Sequence, residues 1–235
     1  MAKKTTEEPS NEVRFIKISY TARLKEDGRV FETTDEETAK KENIYNKQVI
    51  YRPIPIVVGG GHVVKGVDEA LEKSNVGDKQ DIEVPPEKGF GMRDPALVRL
   101  VSRKTFTQQK VNPVPGMIVT LDEKSARVQT VTGGRVRVDL NSELAGKTLV
   151  YGVNVEEEAK DKQSKINYLI ERSFNSSDNF KINQDKSNDT GSVKITIPEE
   201  AFKDKNLLIR KATLSAEIFR FIGADKITYE EVWKK

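Results

Sequence analysis

His62 is the only histidine in the chain, and there is no cysteine. The residue types that usually make and break bonds are therefore nearly absent. A Ser-His-Asp arrangement would have to use that one imidazole, and a multi-histidine metal site cannot be built. Thiolate nucleophiles, thiolate metal ligands and disulfides are excluded together. The run Gly59-Gly60-Gly61 ahead of His62 has the look of a phosphate loop. The next residues are Val63-Val64-Lys65-Gly66 rather than the Gly-Lys-Ser/Thr ending such a loop needs, so the run is read as a flexible turn. The acidic clusters Asp35-Glu36-Glu37 and Glu156-Glu157-Glu158 are read as helix starts, where the dipole favours negative charge, not as paired catalytic carboxylates. No metal and no cofactor is expected. What remains for chemistry is a set of aromatic and aliphatic residues at particular places.

The elements that must position them are set by periodicity. Ile16, Ile18, Tyr20, Ala22 and Leu24 alternate with Lys17, Ser19, Thr21 and Arg23, the pattern of a half-buried antiparallel strand. Glu26-Asp27-Gly28 then turns the chain, and Val30-Phe31 returns as its hairpin partner. Leu149, Tyr151, Val153 and Val155 alternate in the same way. Between these strands lie Pro85-Pro86, Pro113-Val114-Pro115-Gly116 and a strand-rich block at residues 117–121, 127–131 and 135–140, the last two joined as a hairpin by Gly133-Gly134. From about Glu157 the period changes. Ile166, Leu169, Ile170 and Phe174 are spaced as a helix, Val193, Ile195 and Ile197 as a strand, and Leu214, Ile218, Phe221 and Ile222 as a helix ending at Gly223.

Composition narrows the partners. Lys and Arg number 40 against 37 Asp and Glu, so no net field draws the chain to nucleic acid or to a membrane surface. No apolar run is long enough to cross a bilayer, and residues 1–12 carry no apolar leader segment; they are expected to form a disordered tail. With the absence of cysteine, these features lead us to expect a cytoplasmic protein.

Several segments in a fixed order resemble FKBP-type peptidyl-prolyl isomerases. They are Ile56-Val57-Val58-Gly59, then Val63 through Leu71 (Val-Val-Lys-Gly-Val-Asp-Glu-Ala-Leu), then Val76-Gly77-Asp78. Upstream, Tyr20 and Asp27-Gly28-Arg29-Val30-Phe31-Glu32 match the family's first hairpin. Downstream, Pro86-Glu87-Lys88-Gly89-Phe90-Gly91 matches its aromatic-Gly loop. Asn141-Ser142-Glu143-Leu144-Ala145-Gly146-Lys147 is similar to the Asn-His-x-Leu-Ala-Gly segment of the SlyD-like branch. The match spans about residues 13 to 156, and with its extra C-terminal unit the whole resembles the archaeal long-type members.

This resemblance implies an α+β fold: an antiparallel half-barrel around a short helix (13–96 and 141–156), a small β-rich insert-in-flap chaperone domain (97–140), and a C-terminal α+β domain (157–235). It also implies peptidyl-prolyl cis/trans isomerase activity on unfolded or proline-containing polypeptides. The site residues it carries over are Tyr20, Phe31, Glu32, Val64, Phe90 and Tyr151 as catalytic positions, with Ile56, Val63 and Val67 lining the substrate pocket. Many members have Asp where this chain has Glu32, and Trp or Leu where it has Val67. The smaller floor implies a looser grip on a proline ring or macrolide.

The insert is implied to hold unfolded chains in a groove lined by Leu97, Leu100, Val101, Phe106 and Val119. It is basic, with Arg99, Arg103, Lys104, Lys110, Lys124, Arg127, Arg135 and Arg137 against Asp122, Glu123 and Asp139. Such a charge could serve RNA, but Phe106 is its only aromatic, which leaves little surface for stacking bases. Nucleic acid is accordingly not the expected partner. The C-terminal unit carries no chemical constellation, and its apolar helix faces raise the expectation of a homodimer. Two alternatives stay open from the sequence: a non-catalytic peptide-binding chaperone, and a ribosome- or RNA-associated factor.

Overall fold

The computed structural model describes residues 13–184 and 191–233. The tail at 1–12 lies outside these. Strand β1 (Phe15–Leu24) is the organising element: β9 (Leu149–Ala159) pairs with its whole length, and β2 (Val30–Thr33) and β3 (Ile54–Val57) pair with its other edge. With β4 (Lys79–Val84) on the far side of β9, these strands make a five-stranded antiparallel sheet. The alternation expected for β1 and β9 is present: Ile16, Ile18, Ala22 and Leu24 meet Leu149, Tyr151, Val153 and Val155 in one core. The short helix α2 (Lys65–Leu71) packs Val67 and Leu71 onto that concave face. Helix α1 (Glu36–Lys41) starts as expected, with the Asp35 carboxylate accepting from Thr38 N at 2.7 Å.

The second acidic cluster does not start a helix. Glu156, Glu157 and Glu158 continue β9 to Ala159, three residues beyond the expected end of the isomerase strand at Glu156. Pairing with the basic side of β1 explains this. Arg14 bridges Glu158 at 2.9 Å, Lys17 stands opposite Glu157, and the Ser19 hydroxyl donates to Glu156 at 2.6 Å. The helix α4 (Lys162–Phe174) begins later and is capped by Asp161, which accepts from Ser164 N at 3.0 Å.

Phe15 and Ile16 are consecutive buried residues on opposite faces of β1, Ile16 turned into the first core with Ile18 and Phe15 to the other side of the sheet. Phe15, Val57 and Ala159 thereby leave the first core and join a second one, built on Ile166, Leu169 and Ile170 of α4 and Leu214 and Ile218 of α5 (Leu207–Ile222). Helices α4 and α5 cover a three-stranded sheet in the order β10 (Lys181–Gln184), β11 (Ser192–Ile197), β12 (Lys226–Glu231); β11 and β12 are parallel. Gly223 closes α5 in the left-handed conformation, φ 69°.

The segment between β4 and β9 folds on its own four-stranded sheet, in the order β5 (Val98–Ser102), β8 (Arg135–Asp139), β7 (Lys124–Thr132), β6 (Ile118–Leu121). It also contains a helix that periodicity did not reveal, α3 (Arg103–Gln108), capped by Ser102. Gly133 and Gly134, both at positive φ, make the β7–β8 hairpin. Phe106, Val119, Ala126, Val128, Val136 and Val138 form the core of this sheet. Phe106 and Val119 are therefore interior residues of the insert and do not line an open groove. Of the other expected groove residues, Val101 packs against that core, Leu97 is half-buried, and Leu100 is exposed. Among the described residues no helix is long and apolar enough to cross a membrane.

Candidate active site

The concave side of the five-stranded sheet holds a cavity of about 320 Å³ lined by Ile18, Tyr20, Glu32, Ile54, His62, Val63, Val64, Val67, Phe90 and Tyr151. Its walls come from pieces far apart in sequence. Tyr20 reaches the cavity from β1, Glu32 from β2, and Tyr151 from β9. Ala22 stands opposite both Glu32 and Tyr151 in the register, so the three side chains share one end of the sheet. Val67 on α2 is almost fully buried and forms the floor.

Phe90 is 41% exposed and sits on the loop after β4. That loop is held twice: Gly91 N donates to Pro86 O at 2.8 Å, and Gly146 N donates to Gly91 O at 2.8 Å. The segment at 141–147 thus fastens the aromatic loop rather than lining the pocket itself. Asn141 clamps the neighbouring chain, accepting from Asp94 N and donating to Asp94 O, each at 2.9 Å.

Two expected residues stand behind the lining. Phe31 packs edge-on against Tyr151, with ring centroids 6.2 Å apart, and Ile56 is interior core beneath the floor. Three lining residues were not expected. Ile18 shares the face of β1 with Tyr20, and Ile54 shares the face of β3 with Ile56, so period-two alternation could have found both. His62 gave no such signal, because only the fold of the glycine turn brings it to the wall.

The site's polar groups are few. The Tyr20 hydroxyl donates to Glu32 Oε1 at 2.8 Å, and the Tyr20 and Tyr151 rings lie 5.8 Å apart, tilted by 44°. Burial above all, and the nearby Glu32 carboxylate after it, hold the Tyr20 phenol well above the usual tyrosine range; the same two causes raise Tyr151. Val64 caps α2, and its carbonyl accepts from the amides of Val67 and Asp68 at 2.9 and 3.0 Å. Among the described residues its own N–H has no protein partner. The arrangement offers a largely apolar, aromatic cup with one carboxylate and one free amide. It has no nucleophile–base pair.

Comparison with known proteins gives the family. The sequence model described as FKBP-type peptidyl-prolyl cis-trans isomerase matches residues 6–107. A short-type peptidyl-prolyl cis-trans isomerase of Methanocaldococcus jannaschii is 36% identical over 141 residues, which cover 60% of this chain and 88% of that protein. The chain belongs to the FKBP-type peptidyl-prolyl cis-trans isomerase family. A probable FKBP-type 16 kDa isomerase of Pseudomonas fluorescens is 30% identical over 108 residues, 44% of this chain and 71% of its own. The SlyD isomerase of Helicobacter pylori is 25% identical over 118 residues, covering 48% and 63%. Two further models extend the kinship beyond the isomerase fold: the FKBP26 IF domain at residues 99–144 and the FKBP26 C-terminal domain at 162–234.

In this isomerase the raised tyrosines carry a prediction. A phenol whose folded pKa is raised keeps its proton, and any stabilisation it gives is fully present below the unfolded value of about 10 and is lost only as pH rises past it. Both hydroxyls therefore remain neutral donors throughout the working range, and kcat/KM should be flat from about pH 7 to about pH 9.5. A limb within that range that disappears in Tyr20→Phe would contradict the assignment.

Proposed function

We propose that this cup seats the proline ring of an X-Pro peptide and catalyses rotation about the bond that precedes it. That rotation has a barrier of about 18–20 kcal/mol, because planarity is held by amide resonance. Twisting ends the resonance and makes the carbonyl less polar. Withholding water from it therefore favours the twisted state over the planar one. Val67, Val63, Ile54 and the rings of Tyr20, Tyr151 and Phe90 exclude the water, while the Val64 N–H is the donor available to the substrate carbonyl. Glu32 holds the Tyr20 hydroxyl in place. No proton is transferred and no bond is broken.

The observation that carries this reading is the convergence of Tyr20, Glu32, Val63, Val64, Val67, Phe90 and Tyr151, drawn from five separate segments, on one cavity. Titration with a proline tetrapeptide, followed by amide chemical shifts, tests it. The amides of Val63, Val64 and Phe90 should move. The sheet's outer face carries a larger depression of about 510 Å³, lined by Ser19, Thr21, Asp81, Gly152 and Asn154 among others. Shifts confined to that depression would overturn the assignment.

The insert serves in this reading as the holder of unfolded polypeptides near the cup, and the cytoplasm as its place of work. Leu100 and Ile118, both more than 60% exposed, provide apolar surface for clients on the outer side of its sheet. Binding that falls steeply with salt and favours RNA over unfolded protein would support the nucleic-acid alternative instead.

We also propose that the C-terminal domain joins two copies. Leu208 and Phe219, three turns apart on one side of α5, are 76% and 47% exposed, and Trp233 beyond β12 is 74% exposed. Light scattering at about 50 µM, a concentration that favours dimers of micromolar Kd, should give twice the chain mass. Leu208→Asp combined with Phe219→Asp should reduce it to the monomer. A monomeric parent chain would rule the pairing out.

A further inference from the structure

The loop between β3 and α2 carries His62, Val63 and Val64, all of which line the cup, yet three successive glycines, Gly59 to Gly61, run just ahead of them. Gly59 and Gly61 lie at φ 75°, with nothing within 4 Å of where a Cβ would stand. Such a segment has little stiffness of its own. It is fixed from two sides. On one side the Asp68 carboxylate of α2 accepts from Gly59 N at 2.8 Å and from Gly61 N at 3.2 Å.

The other fastening comes from the C-terminal domain, more than 150 residues along the chain. His62 Nδ1 accepts from Val57 N at 3.0 Å, so Nε2 carries the proton, and Nε2 stands 3.2 Å from Glu217 Oε1 on α5. The His62 side chain is 6% exposed and that of Glu217 16%, which shelters the contact from solvent. The Phe221 ring, one turn on, meets the imidazole edge-on at 5.8 Å and fills the space beside Gly60, where a Cβ would come within 3.2 Å of it. Glu217 is itself held by Arg172 of α4 at 3.5 Å, and Phe221 packs edge-on against Phe15.

We infer that Glu217 is a positioning residue for the isomerase cup: through the buried His62 Nε2–H contact, α5 holds the loop that presents Val63 and Val64 to substrate. The inference rests on the assignment of the cup as the proline site. The C-terminal domain is then part of the catalytic architecture as well as a surface for assembly. With the contact gone, the glycine turn samples other conformations, and the Val64 N–H spends less time where the substrate carbonyl needs it. A misplacement of this kind is felt mainly in kcat.

Turnover of a proline tetrapeptide by the full chain tests this with four variants. Glu217→Ala should lower kcat/KM about five- to tenfold, the worth of one sheltered hydrogen bond, with most of the loss in kcat. Glu217→Gln, whose amide oxygen can still accept from Nε2–H, should stay within about twofold of the parent. Leu214→Ala removes a fully buried side chain from the same helix without touching His62. It should lower Tm more than Glu217→Ala does, yet leave turnover within about twofold at a temperature where it remains folded.

If turnover followed Tm across these variants, or if Glu217→Ala matched the parent while Phe90→Ala lost activity, the positioning role would be overturned and the cup retained. If Phe90→Ala were silent as well, the cup assignment would fall and the inference with it. A measurement that needs no variant is the ¹⁵N spectrum of His62 at about pH 8, where a histidine is ordinarily neutral. The expected tautomer has Nε2 protonated and Nδ1 bare, and the opposite tautomer would overturn the contact.

Discussion

Replacing residues 97–140 with a short linker should leave proline tetrapeptide turnover within about threefold of the full chain, while catalysed refolding of a proline-limited protein slows on the order of a hundredfold. The first half rests on how the insert is attached. Val98 stands opposite Asp139 in the β5–β8 pairing, and Leu140 N donates to Leu97 O at 3.0 Å, so the two ends of the excised segment are neighbours. The Asp94–Asn141 clamp lies just outside the cut and keeps the flanks together. The ion pairs of Arg93 with Asp139 and of Arg127 with Glu143 are lost, but Arg93, Arg127 and Glu143 are about half exposed, so the cost is small. The core of the insert is separate from that of the cup.

The second half rests on effective concentration. An unfolded chain held on the insert meets the cup at a local concentration on the order of millimolar, whereas a free client must find it at its own micromolar concentration. Tetrapeptides are too short to use both surfaces and gain nothing from the tether. Parallel loss of both activities would mean that the insert supports the cup structurally rather than holding clients.

The other large effect is expected at Phe90. Phe90→Ala should reduce kcat/KM on the order of 10- to 100-fold, since truncation opens the cup to water on the side where the twisting amide must stay dry. Because the ring is 41% exposed, its removal leaves no closed cavity, and Tm should change by no more than about 2 °C. Tyr20→Phe keeps the ring and removes only the hydroxyl that donates to Glu32, so a loss of about threefold to tenfold is expected. A large fall in Tm for Phe90→Ala with turnover intact would make that ring structural. It would also place the substrate elsewhere.

Much of this was legible from short-range pattern. The alternation in β1 and β9, the Gly133-Gly134 hairpin and the stop of α5 at Gly223 all rest on local rules of side-chain period and backbone sterics, and the structure keeps them. The cup was legible only through the order of motif pieces, because each of its apolar residues taken alone looks like ordinary core.

The features that local pattern missed depend on distant partners. Glu156-Glu157-Glu158 has the composition of a helix start, but Lys17 and Ser19 on β1 and Arg14 just ahead of it pair with it and extend a strand. The helix α3 is one and a half turns long, too short for a 3.6-residue period to register, and Phe106 and Val119 proved to be the interior that α3 and its sheet enclose. His62 looked inert in a glycine turn. Its partners, Val57, Glu217 and Phe221, meet only once the C-terminal domain has packed against β3.

The central claim is that the cup accelerates rotation about X-Pro bonds. The most direct measurement is NMR exchange between the cis and trans forms of a short Ala-Phe-Pro peptide, with and without the full chain. Uncatalysed interconversion takes tens to hundreds of seconds. Substoichiometric protein should bring it to the sub-second range, with the acceleration largely lost in Phe90→Ala. Peptide signals that broaden or shift through binding, while the cis/trans exchange rate stays at the uncatalysed value, would contradict the account and leave a peptide-binding chaperone without turnover.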